Sequence, residues 1–372
     1  MIAVVYPQFY AVGGIARYID SFLSNIAPGS PPVTLITGGT PPSQAPAYAG
    51  VQIIHIGDPG MDRAGLLGWG LRVRKLLRRL HAEGRVRCVN FHAPPLIPGL
   101  LLPPQIPVVL TAHTTYLGMS GRFYQQRHFE SQWSASSLAV KLAMERRLFA
   151  TASKVVALTE QARAEVSSYG YKGPIAVIPN GADTRSFRPD PAAAKTVDVL
   201  FGGRIEKRKG SRSMVQLCKA LVEARPAIRI VIVGYGDDDV WVRRELEPLA
   251  PAVQLAGKVP FERMRDYYSR SRVYASTSYY EGLPGTCLEA MAMGLPAVVW
   301  DFLFYRGLVL DGQTGLVAAP NDIECMKTQV LQLLDHPEAA RRMGDKARHI
   351  LESGYQWRHL APRVMAELES TL

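Results

Sequence analysis

The amino-acid sequence predicts an α/β chain built as two doubly wound parallel-sheet domains, and three observations predict it. Short apolar runs alternate with longer stretches of helical period along the whole chain. The alternation restarts after Arg185–Lys195, a stretch rich in proline and alanine. The length of 372 residues suits two domains of roughly 150 residues or a little more. At 47% apolar and 20% charged, the chain has material for two buried cores, which excludes disorder as its main state.

In the first half, Ile2–Tyr6, Val33–Thr37, Val51–Ile56, Cys88–His92, Val108–Ala112 and Val155–Leu158 read as strands. Helical period covers Gly14–Asn25, Leu66–His81 and Ser137–Phe149. In the second half the strands are Val197–Phe201, Ile228–Val233, Val253–Leu255, Arg272–Ala275 and Ala297–Val299. Helices over Ser211–Ala224, Val240–Leu249, Phe261–Ser269 and Cys287–Met293 lie between them. Such alternation covers both faces of a parallel sheet with helices. The expected domains are 1–184 and 197–354, joined by a linker at 185–196 and facing each other across a cleft. In open parallel sheets ligands bind beyond the carboxyl ends of strands, so the residues just after each strand carry the chemistry.

No run reaches the ~18 apolar residues of a spanning helix; Leu96–Leu102 is short and holds Pro98. Met1 leads straight into Ile2–Tyr6 without a charged leader, so export is not expected. Cys88, Cys218, Cys287 and Cys325 have neither zinc nor disulfide spacing, which suits a reducing cytoplasm. The net charge of +11 is uneven. Residues 1–180 hold 17 Lys and Arg against 8 Asp and Glu, and residues 181–372 hold 26 against 24. Much of the excess lies between Trp69 and Arg87, on Arg72, Arg74, Lys75, Arg78, Arg79, Arg85 and Arg87. Trp69, Val73, Leu76, Leu77 and Leu80 share one face of that helix. Arg72, Lys75 and Arg79 lie on another, with Arg74 and Arg78 nearby. The basic face is either a solvated domain surface or a contact for an anionic membrane, and both can hold together. Nucleic acid is not an expected partner, because no aromatic ladder, recognised module or zinc spacing accompanies the charge.

Three segments follow strands and suit phosphate or sugar. Gly13 and Gly14 open a helix, where backbone N–H groups can approach a phosphate without a Cβ in the way. Their spacing is not GxGxxG, which argues against a nicotinamide dehydrogenase. Gly202-Gly203-Arg204-Ile205-Glu206-Lys207-Arg208-Lys209-Gly210 puts four basic residues ahead of a helix. Arg204, a planar fork, and Lys209, a mobile point charge, could divide a pyrophosphate. In Glu281-Gly282-Leu283-Pro284-Gly285-Thr286-Cys287-Leu288-Glu289 a Gly/Pro loop enters a helix with one carboxylate on each side. Carboxylates accept from paired sugar hydroxyls, and the loop amides between them face an anion. The blander readings are a tight turn, a solvated basic loop, and a surface acid with a capping residue.

These segments, taken with others in order, resemble the family-4 retaining glycosyltransferases of the GT-B fold, two Rossmann-like domains facing across a cleft. The likeness runs from Gly13-Gly14-Ile15-Ala16-Arg17-Tyr18 through Val177-Ile178-Pro179-Asn180-Gly181-Ala182-Asp183, Gly203-Arg204 and Lys209-Gly210. It continues in Ile230-Val231-Ile232-Val233-Gly234-Tyr235-Gly236, the acid pair Glu281 and Glu289, and Asp311-Gly312-Gln313-Thr314-Gly315. The resemblance implies transfer of a sugar from a nucleoside-diphosphate sugar with retained configuration and no metal or other cofactor. It implies that Glu281 contacts the donor sugar and Glu289 the ribose. Arg204 and Lys209 would hold the diphosphate with help from Gly13 and Gly14, and His113 would face the sugar. Gly203, Gly234, Gly236, Leu283, Pro284, Gly285 and Thr286 complete the implied donor set.

Arg17 and the basic residues Arg72, Lys75, Arg78 and Arg79 are assigned to the acceptor or membrane side. Trp357 and its neighbours resemble the family's closing segment, which implies that about 355–372 completes the first domain. The acceptor would be a lipid-linked or cell-surface glycan precursor, and the protein cytoplasmic, peripheral on the inner face of the membrane. Glycosylation of a soluble small molecule, or epimerisation of a nucleotide-sugar on the same fold, are the alternatives.

The chain departs from the family's pattern after Pro296–Val299. A Gly-Gly pair and a glutamate would fall on Leu303, Phe304 and Gly307, and Trp300–Arg306 is bulky and aromatic instead. Asp237-Asp238-Asp239 looks like a metal motif of a different glycosyltransferase fold but precedes a helix, and reads as an N-terminal cap. His92 reads as a satisfied structural histidine.

Overall fold

The computed structural model describes the chain except residues 12, 44, 45, 61, 124–128, 130 and 183. It comprises two compact units. The first joins Met1–Phe123, Gln132–Gly181 and Trp357–Leu372, and the second is built on Ala182–Gln356.

The first unit holds strands β1 (Ile2–Tyr6), β2 (Val33–Thr37), β3 (Val51–His55), β4 (Cys88–Ala93), β5 (Val108–Ala112), β6 (Lys154–Ala157) and β7 (Ile175–Val177). They form one sheet in the order β3-β2-β1-β4-β5-β6-β7, parallel throughout. Every residue of β1, β2, β4 and β5 is buried, as continuous apolar runs require when both faces are covered. The covering helices are α1 (Gly14–Ser24), α2 (Arg63–Ala82), α3 (Ile97–Leu100), α4 (Tyr116–Met119), α5 (Ala135–Thr151) and α6 (Glu160–Ser168).

The second unit holds β8 (Val197–Gly202), β9 (Ile230–Val233), β10 (Val253–Gly257), β11 (Ser271–Ser276), β12 (Ala297–Trp300) and β13 (Gly315–Ala318). Their order is β10-β9-β8-β11-β12-β13, again parallel throughout. Helices α7 (Ser211–Ala224), α8 (Asp239–Leu246), α9 (Phe261–Arg270), α10 (Gly285–Ala292), α11 (Ile323–Asp335) and α12 (Pro337–Gly354) surround it. The last helix, α13 (Trp357–Glu369), belongs to the first unit. Its Trp357 ring lies 4.8 Å from Tyr18 on α1. Lys154 pairs with its Glu367 at 2.6 Å.

Two sets of elements in the structure were not expected from the sequence. Strands β7 and β13 were not expected, because runs of three and four residues beside Pro174, Pro179 and Gly315 carry too little period to read. Helices α6, α11 and α12 were also unread, their polar faces masking the apolar stripe. The stretch expected as a linker is mostly exposed and is anchored by Phe187, which is buried with its ring 5.3 Å from Phe261 and 5.9 Å from Tyr268.

In each sheet the order reverses at the first strand, between β1 and β4 and between β8 and β11. Those are the topological switch points, where loops diverge and leave room for a ligand.

Candidate functional site

The loops after β8 and β11 meet at the second unit's switch point and line a pocket with Gly203, Arg204, Ile205, Lys209 and Ser276–Ser278. Hydrogen bonds to backbone carbonyls stitch the two loops together. Tyr279 N donates to Arg208 O at 3.0 Å, and Thr277 Oγ1 donates to Gly210 O at 3.0 Å. Gly210 sits at φ +70°, and a Cβ there would collide with the Thr277 carbonyl, so this close approach requires glycine. Arg208 adds a bond from Nη1 to Tyr280 O at 3.0 Å and pairs with Glu206 through Nη2.

Within that frame Lys209 donates to Glu281 Oε1, and the two side chains are only 18% and 8% exposed. Burial holds the Lys209 ammonium below its usual range even with the carboxylate beside it. Ser278 Oγ donates to the same Oε1 at 3.0 Å. Arg204 is more open, 54% exposed, with its Nε 3.2 Å from Glu206. The structure therefore brings Arg204 and Lys209 to one pocket and joins Glu281 to its lining through Lys209 and Ser278, with the cations held by acids that a bound anion would compete with.

On the far side of the loop from Glu281, Leu283, Pro284, Gly285 and Thr286 lead into α10. Thr286 Oγ1 donates to Gly202 O at 3.1 Å and contacts Tyr274 Oη at 2.8 Å, which pins the start of α10 to the end of β8. Glu289, one turn on, accepts from Tyr268 Oη at 2.9 Å. Gly234 and Gly236 follow β9 and back the pocket. Gly203 N donates to Val233 O at 3.0 Å and Gly234 N to Gly257 O at 2.9 Å. A Cβ on Gly234 would strike the Gly203 carbonyl, and one on Gly236 the Ile205 carbonyl.

The acid run supplies the expected N-terminal cap position but not a capping bond. Asp238 occupies the N-cap of α8 but makes no capping bond with its side chain. Its carboxylate accepts from the Ser211 hydroxyl instead, tying α8 to the start of α7. Asp239 pairs with Arg243 at 2.8 Å. Among the described residues no three His, Cys, Asp or Glu side chains converge as metal ligands would.

In the first unit, Gly13 is the extended N-cap of α1, and Gly13 and Gly14 have open space where a Cβ would stand. Arg17 is exposed in the first turn. His113 follows β5, is 6% exposed, and its Nε2 lies 2.9 Å from His92 Nδ1. Burial pushes the His113 imidazole down to about 3 and His92 well below the usual histidine range. Both rings are thus neutral at pH 7, and His113 offers a hydrogen bond rather than a charge. His92 was expected to be satisfied. It is fully buried, yet among the described residues its Nε2 and the neighbouring Tyr18 Oη have no hydrogen-bond partner.

Sequence reasoning missed two buried carboxylates that hold the segment after His113. Glu165 accepts from Thr115 Oγ1 at 2.6 Å, and Glu145 accepts from Tyr116 N at 2.8 Å and from Tyr169 Oη. Burial raises the Glu145 carboxyl to about 7. An acid inside a polar helix gives no sequence signal of this kind, since its partners are 24 to 29 residues away. Asp183, part of a quoted motif, lies outside the described residues.

On the basic helix, Leu66, Trp69, Val73, Leu77 and Leu80 are buried in the first unit, and Leu76 is partly so. Arg72, Lys75, Arg78 and Arg79 are exposed, and with them Leu67 and Leu71, at 46% and 50%. No described helix is long and apolar enough to cross a membrane.

Comparison with known proteins agrees with this layout. Residues 12–186 match the family described as Glycosyltransferase Family 4, and residues 183–350 match Glycosyl transferases group 1. The chain is 25% identical to glycogen synthase of Mycobacterium tuberculosis (strain CDC 1551 / Oshkosh), over 97% of this chain and 92% of that protein. Among solved structures it is similar to a sucrose-phosphate synthase from Thermosynechococcus elongatus. That match has a TM-score of 0.81 at 20% identity, over 99% of this chain and 98% of the other. It is also similar to Anabaena Alr3699/HepE in complex with UDP and glucose, with a TM-score of 0.74 at 16% identity, over 100% and 99%. The two structures share the fold.

Proposed function

The chain belongs to the family-4, group 1 glycosyltransferases, and from that premise we propose that it moves a sugar from a nucleoside-diphosphate sugar to an acceptor oxygen with retained configuration. The observation that carries this reading is the switch-point pocket, with Arg204 and Lys209 on one loop and Glu281 and Glu289 on either side of another. An acid at each end and cations between them match a donor that has hydroxyls at both ends and phosphates in the middle. The Anabaena neighbour, described with UDP and glucose, supports the same donor class.

In this reading the bond from the anomeric carbon to the diphosphate oxygen breaks while the acceptor oxygen bonds on the same face. The acceptor proton passes to the departing diphosphate. Arg204, Lys209 and the amides of Gly285 and Thr286 stabilise the charge that grows on the leaving group, with Gly203, Gly234 and Gly236 shaping the floor. The reading also assigns Gly13 and Gly14 to the diphosphate, His113 to the sugar, and no role to a metal.

The two acids divide the donor. Glu289→Ala should weaken binding of bare UDP or GDP about tenfold, because a charge-assisted bond to the ribose is lost. Glu281→Ala should leave bare nucleotide affinity nearly unchanged and lower turnover instead. Calorimetric titration of both variants checks this, and equal weakening of bare nucleotide in both overturns the division.

The acceptor in this reading is a lipid-linked or cell-surface glycan precursor met at an anionic membrane, with Arg17 toward the acceptor. What supports it is the outward face of α2, where Leu67 and Leu71 stand exposed beside Arg72, Lys75, Arg78 and Arg79. Each basic residue near an anionic surface contributes about 1 kcal/mol, enough together for reversible recruitment. Changing those four to Gln should abolish sedimentation with anionic vesicles and leave donor binding intact, and high salt should act the same way. Vesicle binding that survives the quadruple change would remove α2 from the reading and favour a soluble acceptor.

A further inference from the structure

Tyr305 lies in the bulky loop after β12, 2% exposed, with its ring 4.6 Å from Phe304, which in turn stacks on Phe302 at 5.6 Å. The hydroxyl is what the packing does not explain. Tyr305 Oη donates to Ser276 Oγ at 2.7 Å, Ser276 Oγ donates to Ser278 Oγ at 3.2 Å, and Ser278 Oγ donates to Glu281 Oε1 at 3.0 Å. An ionised carboxylate only accepts, so the direction of every proton in this line is fixed from its far end. Ser278 must donate to Glu281, Ser276 to Ser278, and the phenol to Ser276. Lys209 reaches the same Oε1. Among the described residues both side-chain donors to Glu281 therefore fall on one oxygen, which turns Oε2 away from them.

We propose that Tyr305 is a positioning residue for Glu281, acting through Ser276 and Ser278 to hold the carboxylate in the rotation that presents Oε2 to the donor sugar. The proposal rests on the reading that Glu281 contacts that sugar. A line of aligned hydroxyls in a buried site polarises along its length, so its head group is felt at the carboxylate although it touches no substrate. Burial keeps the Tyr305 phenol protonated far above its usual range, so the line keeps its donor at any working pH.

Tyr305→Phe keeps the ring and its stack and removes only the head donor. Nucleotide release is measured for the wild type on UDP-glucose and GDP-mannose, and the variants follow on whichever it cleaves. Tyr305→Phe should lower kcat about five- to tenfold, the weight of one buried hydrogen bond, with donor KM and UDP or GDP affinity unchanged. Ser276→Ala breaks the same line in the middle and should cost about as much, and the double variant should be no worse than either single. A wild-type kcat in Tyr305→Phe overturns the proposal. So do losses that multiply in the double variant, or a fall in kcat matched by lost nucleotide affinity, which would mean a deformed pocket. Glu281→Gln separates the two levels. If it loses kcat while Tyr305→Phe does not, only the proposal falls. If it keeps kcat, or if the wild type cleaves neither these two donors nor an ADP-sugar, the reading of Glu281 falls and the proposal with it.

Discussion

Lys209→Ala should lower turnover about 100- to 1000-fold, the usual loss when a donor aimed at developing charge is removed from a site. It should also destabilise the second unit, unlike Arg204→Ala. Lys209 and Glu281 are both nearly buried, and removing one partner of such a pair leaves the other charge unpaired, at a cost of about 3–5 kcal/mol. Arg204 is half exposed, so its loss should harm turnover with little change in stability. Adding Glu281→Gln to Lys209→Ala should recover much of the stability and none of the turnover. Steady-state kinetics with denaturant melts of the three variants check this. Wild-type turnover in both single alanine variants would remove these residues from the diphosphate site.

The second large effect belongs to a glycine. Gly234→Ala should abolish detectable nucleotide binding and lower stability by about 1–3 kcal/mol or more, the range for forcing extra atoms into packed structure. The added Cβ would meet the Gly203 carbonyl. Both sides of that clash are backbone, so no rotamer change relieves it, and the loop that carries Arg204 must move. Gly354→Ala is the control, since open space surrounds that position at the end of α12, and it should be neutral or slightly stabilising. Thermal melts and UDP titration of both variants decide the matter. Normal binding in Gly234→Ala would show that the β8 loop tolerates displacement and does not grip the donor.

Much of the second unit was legible because strands with both faces buried are continuous apolar runs, and α7 was read with both its ends in place. The loops after β8 and β11 were legible as chemistry for a positional reason, since the carboxyl ends of strands are where ligands bind. The interactions that finish the site were not legible. Lys209 and Glu281 are 72 residues apart, and Tyr305 is 29 from Ser276. Sequence spacing carries no information about such pairings until the sheet order is known. The aromatic run from Trp300 to Tyr305 stood out as unusual, but composition could not show that one hydroxyl in it points along a line to Glu281. His92 and Asp238 were legible in place but not in detail. His92 is a buried structural histidine and Asp238 the N-cap of α8, while the partners of their side chains, His113 and Ser211, lie 21 and 27 residues away.

The central claim is that the switch-point pocket cleaves a nucleoside-diphosphate sugar, and release of the diphosphate from UDP-, GDP- and ADP-sugars in the presence of EDTA tests it most directly. The account predicts release from at least one of these donors, undiminished by the chelator. It also predicts that the matching nucleotide, at a hundredfold excess over its dissociation constant, stabilises the protein by about 2.7 kcal/mol. No release and no stabilisation with any of the three nucleotide classes would contradict it.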